Sequence, residues 1–187
     1  MNIETVNLIL IQCDAEILKE AIAGNENLAK KLGVTIADNW NEFGSAIFQF
    51  TIDKITENKD ESGWWIYFPI HKKDNKLIGG CGYKGQPTSE GTVEIGYETA
   101  PEYRNRGYAA EMTTGLVAHA FKDRRVKSVI AHTLTHENPS TRVLTKCGFE
   151  KTGEAYDPED GQLWKWELNK IEYFPDSDLS GINLLTS

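Results

Sequence analysis

The six residues Arg104-Asn105-Arg106-Gly107-Tyr108-Ala109 set two guanidinium groups and a glycine directly ahead of a segment with helical apolar spacing. At a helix start the first N–H groups have no helical partner, so they point outward together at the positive end of the helix dipole. That is chemistry for holding an anion, and a diphosphate fits it. Gly107 lets a ligand approach the backbone with no Cβ in the way, and Asn105 stands where a positive φ is well tolerated. A Gly-containing turn ahead of a helix is also common as plain structure, so spacing alone leaves an ordinary turn open.

Other reactive side chains are scattered. Glu94 and Glu98 share one face of a strand by alternation, so either can take up a proton or anchor a neighbouring backbone or Arg. His132 and His136 flank Leu134 with no carboxylate partner visible in sequence and read as structural or surface residues. Alternation sends Trp64 and Ile66 to one face and Trp65 and Tyr67 to the other, so one set lines an acceptor pocket while the other packs the core. Asn138 followed by Pro139 is an N-cap with proline at the first helical position. Cys13, Cys81 and Cys147 form neither a CxxC pair nor a zinc pattern, and no metal site is expected.

The elements that must position these residues follow from periodicity. Thr5 to Leu10 alternates, with Val6, Leu8 and Leu10 on one face of a strand. Asp14 caps a helix bearing Ile17, Leu18, Ala21 and Ile22, which Gly24 ends, and Leu28 to Leu32 forms a short second helix. Trp40, Phe43, Ile47 and Phe50 recur at helical spacing. Trp64 to Ile70, Lys76 to Tyr83 and Gly91 to Glu98 read as an antiparallel meander. A helix through Met112 and Leu116 ends near Asp123, Val126 to Leu134 is a strand, a capped helix closes at Gly148, and Glu150 to Tyr156 with Gln162 to Leu168 makes a last strand pair. This order is α+β with a mixed, mostly antiparallel central sheet flanked by helices.

A chain of 187 residues, 40% hydrophobic and 10% aromatic, suits one domain with a real core, taken as residues 1–170 followed by a tail, 171–187. A net charge of −8 argues against a general nucleic-acid binder, whose affinity comes from clustered Lys and Arg. No stretch approaches the ~20 apolar residues of a membrane helix, and no secretory signal is evident. A cytoplasmic protein with reduced thiols is expected, and an uncovered sheet face or the tail would support a homodimer.

Val93-Glu94-Ile95-Gly96-Tyr97, followed by Pro101 to Ala109, resembles the signature of the GNAT superfamily, whose loop reads Gln or Arg, x, x, Gly, x, Gly or Ala; Arg104, Gly107 and Ala109 fill those places. Asn138 to Phe149 resembles its second signature, an Asn opening a helix that ends in Gly-Phe. Within the superfamily the chain is similar to the branch of the ribosomal-protein alanine N-acetyltransferases, through Leu77 to Gly82, the Glu-Ile-Gly-Tyr strand and the Asn-Pro-Ser-Thr helix start. That branch also includes enzymes acting on antibiotics and other amines.

The resemblance implies an acetyl-CoA-dependent N-acetyltransferase in which the amine of a small molecule or a protein N-terminus attacks the thioester directly through a tetrahedral intermediate, without a metal. It implies coenzyme A contacts from Arg104, Asn105, Arg106, Gly107, Tyr108 and Ala109, from the backbone of Tyr97, Glu98 and Thr99, and from Asn138. It makes Glu94 the leading base, with Glu98 as the other candidate. The chain departs from the common pattern at Leu144, where many members carry a Tyr that protonates the thiolate; Thr141 matches a hydroxyl residue that plays this part in the ribosomal-protein branch, and is equally a first-turn cap. Trp64, Trp65 and Tyr67 are the acceptor-site candidates. The alternative is a noncatalytic acyl-CoA-binding or sensor domain.

Overall fold

The computed structural model describes residues 1–42 and 44–173. Strands β1 (Ile3–Glu4), β2 (Leu8–Gln12), β3 (Thr35–Ile36), β4 (Ile66–His71), β5 (Lys76–Leu77), β6 (Gly79–Tyr83), β7 (Thr92–Thr99), β8 (Ser128–Leu134), β9 (Glu150–Asp157) and β10 (Gly161–Asn169) alternate with helices α1 (Ala15–Ala23), α2 (Asn25–Leu32), α3 (Ala46–Glu57), α4 (Tyr108–Ala120), α5 (Pro139–Lys146) and α6 (Lys170–Tyr173). The main path of the sheet runs β1-β2-β4-β6-β7-β8-β10-β9. Its pairs are antiparallel except β7 with β8; off that path the short β3 also lies parallel to β5. The α+β expectation holds, with the mixed character residing at the centre of the sheet.

Strand alternation divides the buried residues between two faces. Leu8, Leu10, Tyr67, Tyr83, Val93 and Ile95 meet Met112, Leu116 and Val117 of α4 on one face. Ile66 and Phe68 face the other way, toward Trp40 and Phe48. The Asp14 cap expected from sequence is in place, accepting from the Ile17 N–H at 2.9 Å, and Gly33 closes α2 at φ 68°. None of the described helices is long and apolar enough to cross a membrane.

Three local expectations are corrected. Thr5 to Leu10 is not one strand: the chain turns back at residues 5–7, Thr5 N–H donating to Leu8 O at 3.0 Å, and Val6 is 86% exposed. The Glu111 carboxylate on α4 organises this turn, taking the Thr5 hydroxyl and Asn7 N–H at 2.5 Å each, a long-range contact that alternation does not report.

The helix expected from Trp40 starts at Ala46, and its inward face is Phe48, Thr51 and Ile52 rather than Ile47 and Phe50. Trp40 precedes it, stacked on Phe48 at 6.0 Å and donating from Nε1 to Asn25 at 3.0 Å. Phe43 lies outside the described residues. Finally, residues 171–173 belong to α6, with Tyr173 against Phe121 at 5.3 Å, while 174–187 lie outside the described residues.

Candidate active site

The loop from Arg104 to Ala109 sits where β7 hands over to α4. The backbone turns through Asn105 at φ 58° and Gly107 at φ 88°, two left-handed positions, one of them filled by the non-glycine residue that tolerates it best. Among the described residues, the backbone N–H groups from Asn105 to Ala110 have no hydrogen-bond acceptor, and the first to return to the helix is Glu111 N–H, which donates to Gly107 O at 3.0 Å. A Cβ built on Gly107 would meet nothing within 4 Å, so the space before these donors is open.

The two arginines behave differently. Arg104, exposed on the surface, folds back along the chain, donating from Nε to Thr99 O at 2.9 Å and from Nη2 to Glu42 at 2.5 Å, and so ties the loop to the end of β7. Arg106 is exposed and stands over the rings of Tyr103 and Tyr108, at 5.2 and 5.5 Å.

Beneath the loop lies a network with no sequence signal. Tyr108 Oη is 2.8 Å from His71 Nε2, His71 Nδ1 is 2.9 Å from Asp74, and the Tyr103 hydroxyl donates to Asp74 at 2.7 Å. That Tyr103 hydrogen bond leads the interactions that hold the Asp74 carboxyl below its ordinary value, while burial, then Asp74, raises the Tyr103 phenol. Both aromatic residues flanking the loop are thereby anchored to β4 and the turn after it.

Beside the loop, the β7–β8 ladder pairs Thr92, Val93 and Glu94 with Ser128, Val129 and Ile130 and then stops, although β7 continues to Thr99 and β8 to Leu134. Beyond that point, among the described residues, β7 pairs only with β6, so Tyr97, Glu98 and Thr99 form an edge facing a gap in mid-sheet. Such an edge can accept an extended ligand as an added strand.

Glu94 stands at the apex of this gap. Its Oε1 is 3.0 Å from His132 Nδ1 and 2.5 Å from Lys84 Nζ. Spacing along the chain offers His132 no carboxylate, because its partner lies 38 residues away, on the parallel strand. A carboxylate so placed can take a proton from an amine directly or through water. Glu98, on the same face, lies across Gly80 and accepts the Glu42 N–H at 2.7 Å.

At the start of α5, Asn138 Oδ1 accepts from the N–H groups of Ser140 and Thr141 at 2.9 and 3.1 Å. Thr141 completes a capping box: its hydroxyl accepts from Asn138 N–H at 3.1 Å and lies 2.8 Å from Asn138 O and 3.1 Å from Glu137. Leu144 is 0% exposed. The Tyr97 hydroxyl donates to Ser140 O at 3.4 Å, which joins β7 to α5, and burial raises its pKa.

The three aromatic candidates separate. Trp65 lines a cavity of about 310 Å³ together with Trp40, Phe48, Ile66, Phe68, Gly96 and Glu98. Trp64 packs on Tyr83 at 5.0 Å, and Tyr67, 0% exposed, donates to Gly63 O at 2.9 Å, so both belong to the core on the α4 side. Alternation misplaces the tryptophans because the strand begins only at Ile66 and residues 63–65 bend. Among the described residues no cluster of His, Cys, Asp and Glu could hold a metal ion.

Residues 11–150 match a family described as Acetyltransferase (GNAT) domain. The uncharacterized N-acetyltransferase YjdG of Bacillus subtilis is 32% identical over 153 residues, spanning 79% of this chain and 88% of that protein. In three dimensions the chain is similar to a ribosomal-protein alanine acetyltransferase of Vibrio fischeri, with TM-score 0.66 and 16% identity over 90% of this chain and 96% of the other. It is also similar to a microcin self-immunity acetyltransferase solved with acetyl-CoA and AMP, with TM-score 0.63 and 14% identity over 88% and 93% of the two chains. At these identities the structural likeness is one of fold.

Proposed function

Because the chain belongs to the GNAT acetyltransferases and is an N-acetyltransferase, we propose that it moves the acetyl group of acetyl-CoA to a primary amine, on a small molecule or a protein N-terminus, by direct attack through a tetrahedral intermediate. The observation that carries this reading is the row of outward backbone N–H groups from Asn105 to Ala109, at the N-terminus of α4 and beside the unpaired edge of β7. Calorimetric binding of coenzyme A, together with release of free thiol from acetyl-CoA across a panel of amines, tests it. A folded protein that binds no coenzyme A would overturn it.

In this reading Arg104, Asn105, Arg106, Gly107, Tyr108 and Ala109 hold the diphosphate, with Arg106 adding solvent-facing charge and Arg104 fixing the loop. Tyr97, Glu98 and Thr99 pair through their backbone with the extended arm of the cosubstrate, and Asn138 meets that arm from α5. Acetyl-CoA supplies an activated acyl carbon. Glu94 takes the proton of an amine whose resting pKa, near ~10.4 for a Lys-like group, keeps it charged at neutral pH.

The leaving sulfur is nearest in kind to Thr141, whose hydroxyl has to give up Asn138 O and Glu137 to serve it. A thiol of pKa about 8.5 leaves tolerably as thiolate, so positioning carries more of the rate than acid assistance, and Leu144 does not argue for a noncatalytic domain. The free thiols of Cys13, Cys81 and Cys147 support a reducing, cytoplasmic setting.

A further inference from the structure

The cavity of about 310 Å³ lies on the sheet face that carries Glu94 and Glu98, opposite α4, and opens beside the end of the β7–β8 ladder. Its walls are apolar and aromatic: Trp40, Phe48, Trp65, Ile66 and Phe68. The floor is open because β7 carries glycine at position 96, where an added Cβ would meet nothing within 4 Å. Glu94 and Glu98 are the same-face neighbours of Gly96, about 7 Å away along the strand on either side.

The charged side chains lining the cavity are Glu98 and Lys84, and the Lys84 ammonium is paired with Glu94 at 2.5 Å. Besides the paired Lys84, the lining thus presents one carboxylate, Glu98, and one amide, Asn41, among side chains that are otherwise apolar or aromatic. A single ammonium is matched there. A second one, or a carboxylate, would be buried against rings with nothing to pair it, which is unfavourable.

Resting on the acetyltransferase reading, we propose that the acceptor is a small primary monoamine carried on one apolar, ring-sized body, and not a polyamine, an amino acid or a polyhydroxylated aminosugar. Its nitrogen lies over Gly96 between the two carboxylates and its body stacks among Trp40, Phe48 and Trp65. In the transfer the N–C bond to the acetyl carbon forms, the C–S bond of the thioester breaks, and the proton given up by the amine nitrogen ends on the thiol of coenzyme A; the proton that first made it an ammonium goes to solvent through Glu94.

The test measures thiol release from acetyl-CoA by the full-length protein with 2-phenylethylamine, spermidine, phenylalanine, kanamycin and an alanine-starting peptide, alongside quenching of tryptophan fluorescence by each amine. We expect kcat/KM for 2-phenylethylamine to exceed that for each of the others by on the order of 100-fold. Gly96→Val, which fills the floor, should lower it by a similar factor, and Trp65→Ala by about tenfold, with coenzyme A affinity by calorimetry within about threefold of the parent.

Spermidine or the peptide serving as well as 2-phenylethylamine would overturn the acceptor class while leaving acetyl transfer intact. So would an undiminished 2-phenylethylamine rate in both variants. Absence of 2-phenylethylamine quenching as well as turnover overturns it too, whereas loss of coenzyme A binding is what overturns the acetyltransferase reading.

Discussion

His132 Nδ1 lies 3.0 Å from Glu94 Oε1, bridging the two parallel strands one step past the last rung of their ladder. The pair closes the apex of the mid-sheet gap, and Lys84 approaches the same oxygen from the β6 side. Glu94→Gln should lower kcat about 100-fold, the ordinary yield of a positioned base, with coenzyme A affinity unchanged. His132→Leu should cost on the order of tenfold by letting the carboxylate swing, while His132→Asn, which keeps a donor, retains most of the rate. Steady-state kinetics beside calorimetry reads both, and an unchanged rate in Glu94→Gln would move the base to Glu98 or to water.

Gly107→Glu should weaken coenzyme A binding by at least about 100-fold. The substitution puts a carboxylate in the open space before the unpartnered N–H groups, and a left-handed backbone at φ 88° costs a non-glycine residue about 1–2 kcal/mol. Gly107→Ala carries the same strain without the charge. The difference in affinity between the two variants, both checked by circular dichroism, isolates the electrostatic part.

Asn138→Ala should lower stability by about 1 kcal/mol, because Asn138 Oδ1 serves two first-turn N–H groups of α5. Asn138→Asp keeps the capping oxygens and should restore most of that loss in urea denaturation. If Asn138 also donates to the cosubstrate arm, the aspartate variant will be stable yet bind coenzyme A more weakly, which separates capping from binding.

Stability should fall in acid through Glu111. Burial pushes its carboxyl up, but hydrogen bonds from Thr5, Asn7 and Leu8 outweigh this and hold its pKa below the ordinary value. A folded-state pKa that is depressed adds stability above the unfolded value, about 4.3, and that contribution is lost as pH falls through the lower folded value. Glu111→Gln should therefore be less stable than the parent at pH 7, and the gap should narrow below about pH 4. Urea midpoints at the two pH values check the sign.

The parts of the site that were legible in sequence are those carried by backbone conformation over a few residues. Asn105 and Gly107 announce left-handed turns, and Asn138-Pro139 announces a capped helix, because these residue types answer to local φ and ψ. Strand periods were legible where a strand is regular. They failed at Val6 and at Trp64 and Trp65, where a turn held by Glu111 and a bend before β4 interrupt the alternation.

By itself, then, the sequence determined the α+β order, the left-handed loop at the head of α4 and the cap of α5, since each depends on contacts within a turn or two of the chain. Only the tertiary structure decided that His132 meets Glu94, that His71 and Asp74 brace Tyr108 and Tyr103, and that Trp65 rather than Trp64 or Tyr67 lines the cavity. Those relations join residues on different strands, and register and the end of a ladder, not spacing along the chain, bring such side chains within hydrogen-bonding distance.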